Sequence, residues 1–136
     1  MDVNDKIAIV TGAARGIGKA IAIQLAKGGA NVVATDINED DLRDTYNDLI
    51  EIGNKCLISR LDVTNQDSVN LAVKNIMAEF HSIDILVNNA GTIGAPGWEK
   101  RDVPDESDWD AIYAVNLKGM AKITEAVIPT MKSNRK

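Results

Sequence analysis

Cysteine and histidine are almost missing from this 136-residue chain: there is one of each, Cys56 and His81. A single cysteine excludes an internal disulfide, and the pair cannot assemble the cysteine and histidine ligands of a zinc site. Cys56 is therefore expected to be a small buried apolar residue and His81 a solvated imidazole. Basic residues are also short, with 15 Lys and Arg against 20 Asp and Glu for a net charge of -5. Such a field repels a phosphate backbone, so no nucleic acid partner is expected. No apolar run approaches the ~18 residues that span a bilayer. The opening MDVNDK lacks a basic segment followed by an apolar one, so a soluble, unexported, cytoplasmic protein with no membrane partner is the expectation. The length suits one domain, 1–136.

Short runs rich in Val, Ile and Leu do occur, at 6–11, 31–36, 55–63 and 83–89, and read as strands. Stretches of helical spacing follow each of them. In 17–27, Ile17, Ile21 and Leu25 fall on one stripe and Gly28-Gly29 supplies the stop. In 38–52, Asn38 is a plausible N-cap, acids fill the first turn, and Leu42, Tyr46, Leu49 and Ile50 make the apolar face. In 66–80 the buried stripe is Val69, Val73, Ile76, Met77 and Phe80. A fourth helix begins near Ser107 and reaches toward Met131. Apolar strands alternating with amphipathic helices predict a parallel sheet covered on both faces, an α/β doubly wound fold. The stretch 91–104, rich in Gly and Pro, reads as a surface loop after the fourth strand.

Between the first strand and first helix lies TGAARGIG, with Gly12, Gly16 and Gly18. A phosphate-binding turn needs backbone N–H groups aimed at oxygens, a helix N-terminus behind them and no Cβ where the diphosphate passes. The spacing is G-x-x-x-G-x-G, and such a turn also serves simply to pack a helix closely on a sheet. Asp36 closes the second strand and should emerge at the same edge. Its carboxylate can accept from both hydroxyls of an adenosine ribose and would repel a 2′-phosphate, which favours NAD over NADP; the alternative is a helix-capping carboxylate before Asn38. Arg15 in the turn argues the other way, since a guanidinium neutralises phosphate, but no basic group follows Asp36 directly.

With TGAARGIG, Asp36, LDV at 61–63 and LVNNAG at 86–91 in order, the chain resembles the short-chain dehydrogenase/reductase family over essentially its whole length. The resemblance implies a Rossmann-like sheet and hydride transfer between NAD(H) and an alcohol/carbonyl small molecule. It places Gly12, Arg15, Gly16, Ile17 and Gly18 around the pyrophosphate, and Asp36 with Ile37 at the adenosine ribose. Asp62 and Val63 would border the adenine, and Asn89, Ala90 and Gly91 would line the middle of the cofactor. Asn88 would mainly tie the central strands together. Asn116, a poor helix residue close to Gly119, implies a local distortion, and the resemblance makes it a candidate catalytic residue supporting a proton relay. Its alternative is a polar contact to the neighbouring loop.

The family's Ser/Tyr/Lys set is not matched. Four residues after Tyr46 stands Ile50, and four after Tyr113 stands Leu117, so neither begins Y-x-x-x-K. Lys118 is expected on a different face of its helix from Tyr113. Ser107 and Ser133 lie away from the expected serine position. The chain is thus expected to be the cofactor half of such an enzyme, breaking off after the fourth strand and its helix with that strand's edge exposed, and inactive by itself. A full-length form would be a homo-oligomer. The competing expectation is a non-catalytic dinucleotide-binding or interaction module.

Overall fold

The computed structural model describes residues 1–134. Strands and helices alternate in the expected order: β1 (Ile7–Thr11), α1 (Gly16–Lys27), β2 (Asn31–Asp36), α2 (Glu39–Ile52), β3 (Cys56–Arg60), α3 (Gln66–Phe80) and β4 (Ile85–Val87). After a short 3-10 turn (Trp98–Lys100) come α4 (Glu106–Ile112), a π-helical segment (Tyr113–Gly119) and α5 (Met120–Ser133). The sheet is wholly parallel with strand order β3-β2-β1-β4. The chain steps outward from β1 to β3, then returns to the other side of β1. That reversal opens a crevice at the C-terminal strand ends, where ligands bind in sheets of this kind.

Both faces of the sheet are covered, which makes it the Rossmann-like doubly wound fold. Ala8, Val10, Val32 and Ala34 join the core formed with α1 and α2. Ile9 and Val33, one residue out of phase, join the core formed with α3 and α5. All five residues of β1 are therefore buried, as a strand at the centre of such a sheet requires.

The strand ends differ from the sequence expectation for local polar reasons. β3 stops at Arg60 because Asp62 Oδ1 accepts from the backbone N and hydroxyl of Thr64 at 2.9 and 2.7 Å, turning the chain out of the sheet. β4 is only three residues long. At its start the Asp84 carboxylate accepts from Ile7 N at 2.9 Å, and beyond Val87 the backbone N–H groups of Asn89 and Ala90 both turn to Thr11 Oγ1 at 3.0 Å.

The helix faces differ too. On α1 the buried positions are Gly18, Ala22 and Ala26, while Ile17 is 74% exposed. Small residues let this helix lie close on β1 and β2, and the larger Ile21 and Leu25 flank the contact. On α2, Thr45 is buried with Leu42 and Leu49, whereas Tyr46 is half-buried and Ile50 exposed. The Thr45 hydroxyl donates toward the carbonyls of Ala13 and Ala14, holding α2 against the turn after β1. Cys56 is only half-buried, with burial pushing its thiol above the ordinary range. His81 is exposed as expected and ends α3 with φ 64, its N–H donating to Met77 O.

The fourth helix is not continuous α. Its middle, Tyr113–Gly119, winds as π-helix, the distortion that Asn116 and Gly119 implied. The wider turn puts Tyr113 and Lys118 on one face, with Lys118 Nζ 5.3 Å from the Tyr113 ring centroid, so the expectation of different faces is corrected. Gly119 is buried against Val63, and a Cβ there would stand 3.0 Å from Val63 Cβ and closer still to its methyl. The β-branched neighbour has little rotamer freedom to yield. Helix propensity alone would make Gly119→Ala stabilising by ~1 kcal/mol. The packing predicts the opposite sign, a loss of about 1–3 kcal/mol in urea unfolding, and a stabilised variant would contradict it.

Candidate functional site

The glycine turn after β1 and the acid that ends β2 lie together. Asp36 Oδ2 accepts from Ala14 N at 3.1 Å, and Oδ1 accepts from Asn38 N at 3.0 Å. Asp36 is thus also a local turn acceptor, although the N-cap of α2 is Asn38, whose side chain accepts from Asp41 N. Each carboxylate oxygen keeps a further lone pair for a hydroxyl donor. Asp36 fronts a cleft of about 390 Å³ that runs along the C-terminal strand ends.

The cleft brings together most of the residues that the sequence singled out. Gly12, Arg15, Asp36, Ile37, Asp62, Val63, Asn89, Ala90 and Gly91 line it. Gly16, Ile17, Gly18 and Asn116 do not, and each has a different place. Gly16 adopts φ +58 with open space where a Cβ would stand, and it is the first residue of α1. Ile17 projects into solvent. Gly18 is buried beneath the turn, where a Cβ would collide with Gly12 O and Asn89 Nδ2. Asn116 grips the loop from outside: its Oδ1 accepts from Thr92 N at 2.7 Å and its Nδ2 donates to Thr92 O at 2.9 Å.

The N-terminus of α1 differs from those of α2, α3 and α4. Asn38, Asn65 and Asp105 cap those three helices with side-chain acceptors, and each has acids in its first turn. The N-cap of α1 is Arg15, which makes no capping bond, and its first turn carries no acid. First-turn N–H groups lack intrahelical partners and carry the positive end of the helix dipole. Here they stand beside the cleft with neither a capping side chain nor a first-turn acid to answer them among the described residues.

The tie between the central strands, expected of Asn88, is made by Asn89. Asn89 Nδ2 donates to the carbonyls of Thr11 and Gly12, both at 3.1 Å, and so ties β4 to the glycine turn while still lining the cleft. Asn88 is exposed and donates to Thr124 Oγ1 on α5 at 3.0 Å. The chain alternates its side chains across the sheet, and Asn89 is the one that faces β1. Gly12 completes this junction, since at φ +65 a Cβ would lie 2.9 Å from Ala90 Cα.

Two features had no signal in the motifs. Thr11 Oγ1 accepts from two successive N–H groups at the end of β4. Asp108, only 1% exposed, accepts from Ala95 N at 2.8 Å, Asp105 N at 3.0 Å and the Arg101 guanidinium, Nε at 2.8 Å. The guanidinium and the two backbone donors hold the Asp108 carboxyl well below the usual carboxylate range. Arg60 is opposite Asp36 in the sheet register, yet it lines a separate groove beside α3. Neither tyrosine is among the residues lining the cleft.

Comparison with known proteins gives this fold and cleft a family. Residues 6–136 match the family described as short chain dehydrogenase, and the chain belongs to the short-chain dehydrogenase/reductase family. It is 36% identical to a 3-oxoacyl-(acyl-carrier-protein) reductase of Thermotoga maritima, over 99% of this chain and 54% of that protein. Among solved structures, NAD+-bound xylitol dehydrogenase superposes with a TM-score of 0.88 at 30% identity, over 98% of this chain and 50% of that one. A metagenomic short-chain oxidoreductase in complex with NADP superposes at 0.84 with 32% identity, over 98% of this chain and 59% of that one. The chain spans about half the length of these relatives. No helix among the described residues is long and apolar enough to cross a membrane.

The depressed Asp108 carboxyl has a consequence for stability. A group whose folded pKa lies below its unfolded value stabilises the fold above the unfolded value, near 3.8, and loses that contribution as pH falls further. Asp108→Asn should therefore be less stable than the parent at pH 7, with the difference shrinking as pH is lowered below about 4. Denaturant midpoints measured across this range check the slope; a constant difference would contradict it.

Proposed function

We propose that this chain is the nucleotide-holding half of an NAD(H)-dependent oxidoreductase acting on an alcohol/carbonyl pair. The observation that carries the reading is the pairing of an uncapped helix N-terminus with a diol-ready carboxylate along one cleft. A dinucleotide fits what is there. The free N–H groups at the start of α1 answer a diphosphate, and the glycine at position 16 leaves its approach open. Bound NAD(H) would supply the hydride that a carbonyl accepts or an alcohol gives up.

In this reading Gly12 lets the β1 turn press against Ala90, while Arg15, Gly16, Ile17 and Gly18 present amides and one guanidinium to the diphosphate. Asp36 accepts from the adenosine ribose diol, with Ile37 against the sugar. Asp62 accepts from the adenine amino group beside Val63. Asn89, Ala90 and Gly91 border the middle of the cofactor, where small residues permit close approach. Asn116 supports the proton path from behind Thr92, whose backbone it holds at the far end of the cleft. Among the described residues neither tyrosine stands where it could pass a proton to a substrate in the cleft: Tyr113 is exposed beside Lys118, and Tyr46 lies on α2. A single 1–136 domain would thus hold the cofactor without turning it over. That same lack favours, as a second reading, a binding module without turnover.

NAD is the preferred form because Asp36 stands where a 2′-phosphate would have to sit, and Arg60, the basic residue opposite it in register, lines another groove. Calorimetric titration of the chain should show NAD binding more tightly than NADP, with Asp36→Ala narrowing the gap by weakening NAD. Equal affinities in the unaltered chain would contradict the assignment.

A further inference from the structure

The loop between β4 and α4 leaves the cleft at Gly91 and Thr92 and returns to the helix at Asp105. Two of its large apolar side chains do little to anchor it, since Ile93 is 65% and Val103 74% exposed. What holds it is polar. Thr92 is gripped through both backbone groups by Asn116, and three residues on Ala95 N donates to the buried carboxylate of Asp108. Arg101, from the returning limb of the loop, donates to both oxygens of Asp108 and also to Ala95 O at 3.4 Å. Gly94 is buried between them, with no room for a Cβ against Trp98 and Asp108 Oδ1.

We infer that the Arg101–Asp108 pair is a positioning device that presets the β4-side end of the cleft for the nicotinamide half of a dinucleotide. The inference rests on the nucleotide reading above. Asp36 marks the adenosine end at β2, and the cleft runs past Gly12 at β1 to Gly91 and Thr92 beyond β4. The wall held by the clasp is therefore the one farthest from the adenosine ribose. The contacts of Asp108 all lie within the loop and the first turn of α4, so breaking them loosens that wall and leaves the glycine turn, Asp36 and the sheet in place. A buried carboxylate deprived of its cation is a strong disturbance, and the disturbance here is confined to one wall. A wall that must be ordered at the moment of binding weakens affinity for whatever touches it.

The test compares NAD with AMP, which carries only the adenosine end, by calorimetry on the chain and on Asp108→Asn and Arg101→Gln. The expected result is a rise of about tenfold in the NAD dissociation constant, with AMP changed by less than about twofold. Arg101→Lys, which keeps the charge at a half-exposed position but loses the forked contact, should fall between parent and Arg101→Gln. Unchanged NAD affinity overturns the inference whether or not the loop amides exchange faster with solvent. Parallel loss of NAD and AMP binding, or unfolding of all three variants, overturns it in favour of a role in the fold. An unaltered chain that binds no NAD overturns the nucleotide reading itself and this inference with it; binding by the parent with no split in the variants overturns the inference alone.

Discussion

The turn after β1 is fastened from both sides, and the rest of the cleft depends on that fastening. From β2, the Asp36 carboxylate accepts from Ala14 N; from β4, the Asn89 amide donates to the carbonyls of Thr11 and Gly12. Beneath it, Thr45 of α2 donates toward the carbonyls of Ala13 and Ala14. These are buried or half-buried polar groups in a region where an unmade hydrogen bond costs about 1–3 kcal/mol, so they fix where three strand ends and one helix start meet. Gly12 and Gly18 are required by the same junction, because a Cβ on either would push apart the groups being fastened. Both glycines therefore serve close packing, and Gly12 also lines the cleft.

From that junction the fold's asymmetry follows. Residues at the C-terminal strand ends spend their side chains on one another, whereas the first turn of α1 is left without an acceptor. The sheet order places this helix start, Asp36 and the β4 turn along one line. Farther out, the positioning is done by the fourth helix. Its π-helical segment carries Asn116 to Thr92, and Gly119 lets that segment sit on Val63, inside the turn after β3.

The alternation of apolar runs and amphipathic stretches made the doubly wound sheet legible, because the central strands β1 and β2 are buried on both faces and the helices that cover them on one. The glycine turn and Asp36 were legible as neighbours because parallel strands must end on the same side. The contact stripe of α1 was not, since Gly18, Ala22 and Ala26 carry little hydrophobic weight beside the larger but exposed Ile17. The strand ends at Arg60 and Val87 were hidden because turns built by Asp62 and Thr11 compete with apolar sequence that would suit a strand. Asn116 and Gly119 signalled a distorted helix, but neither the kind of winding nor the meeting of Tyr113 and Lys118 follows from residue type. The Arg101–Asp108 clasp joins residues across a loop with no periodicity, so only the folded backbone reveals it.

The central claim is that the start of α1 and the end of β2 together receive a dinucleotide. An amide-resolved NMR titration of the chain with NAD addresses it directly. The N–H signals of residues 15–18 should move together with those near Asp36 and of residues 89–91, while signals from the α3 side of the outer groove, around Leu71 and Asn75, stay fixed. Shifts confined to that groove, or to the opposite strand ends near Asp84, would contradict it.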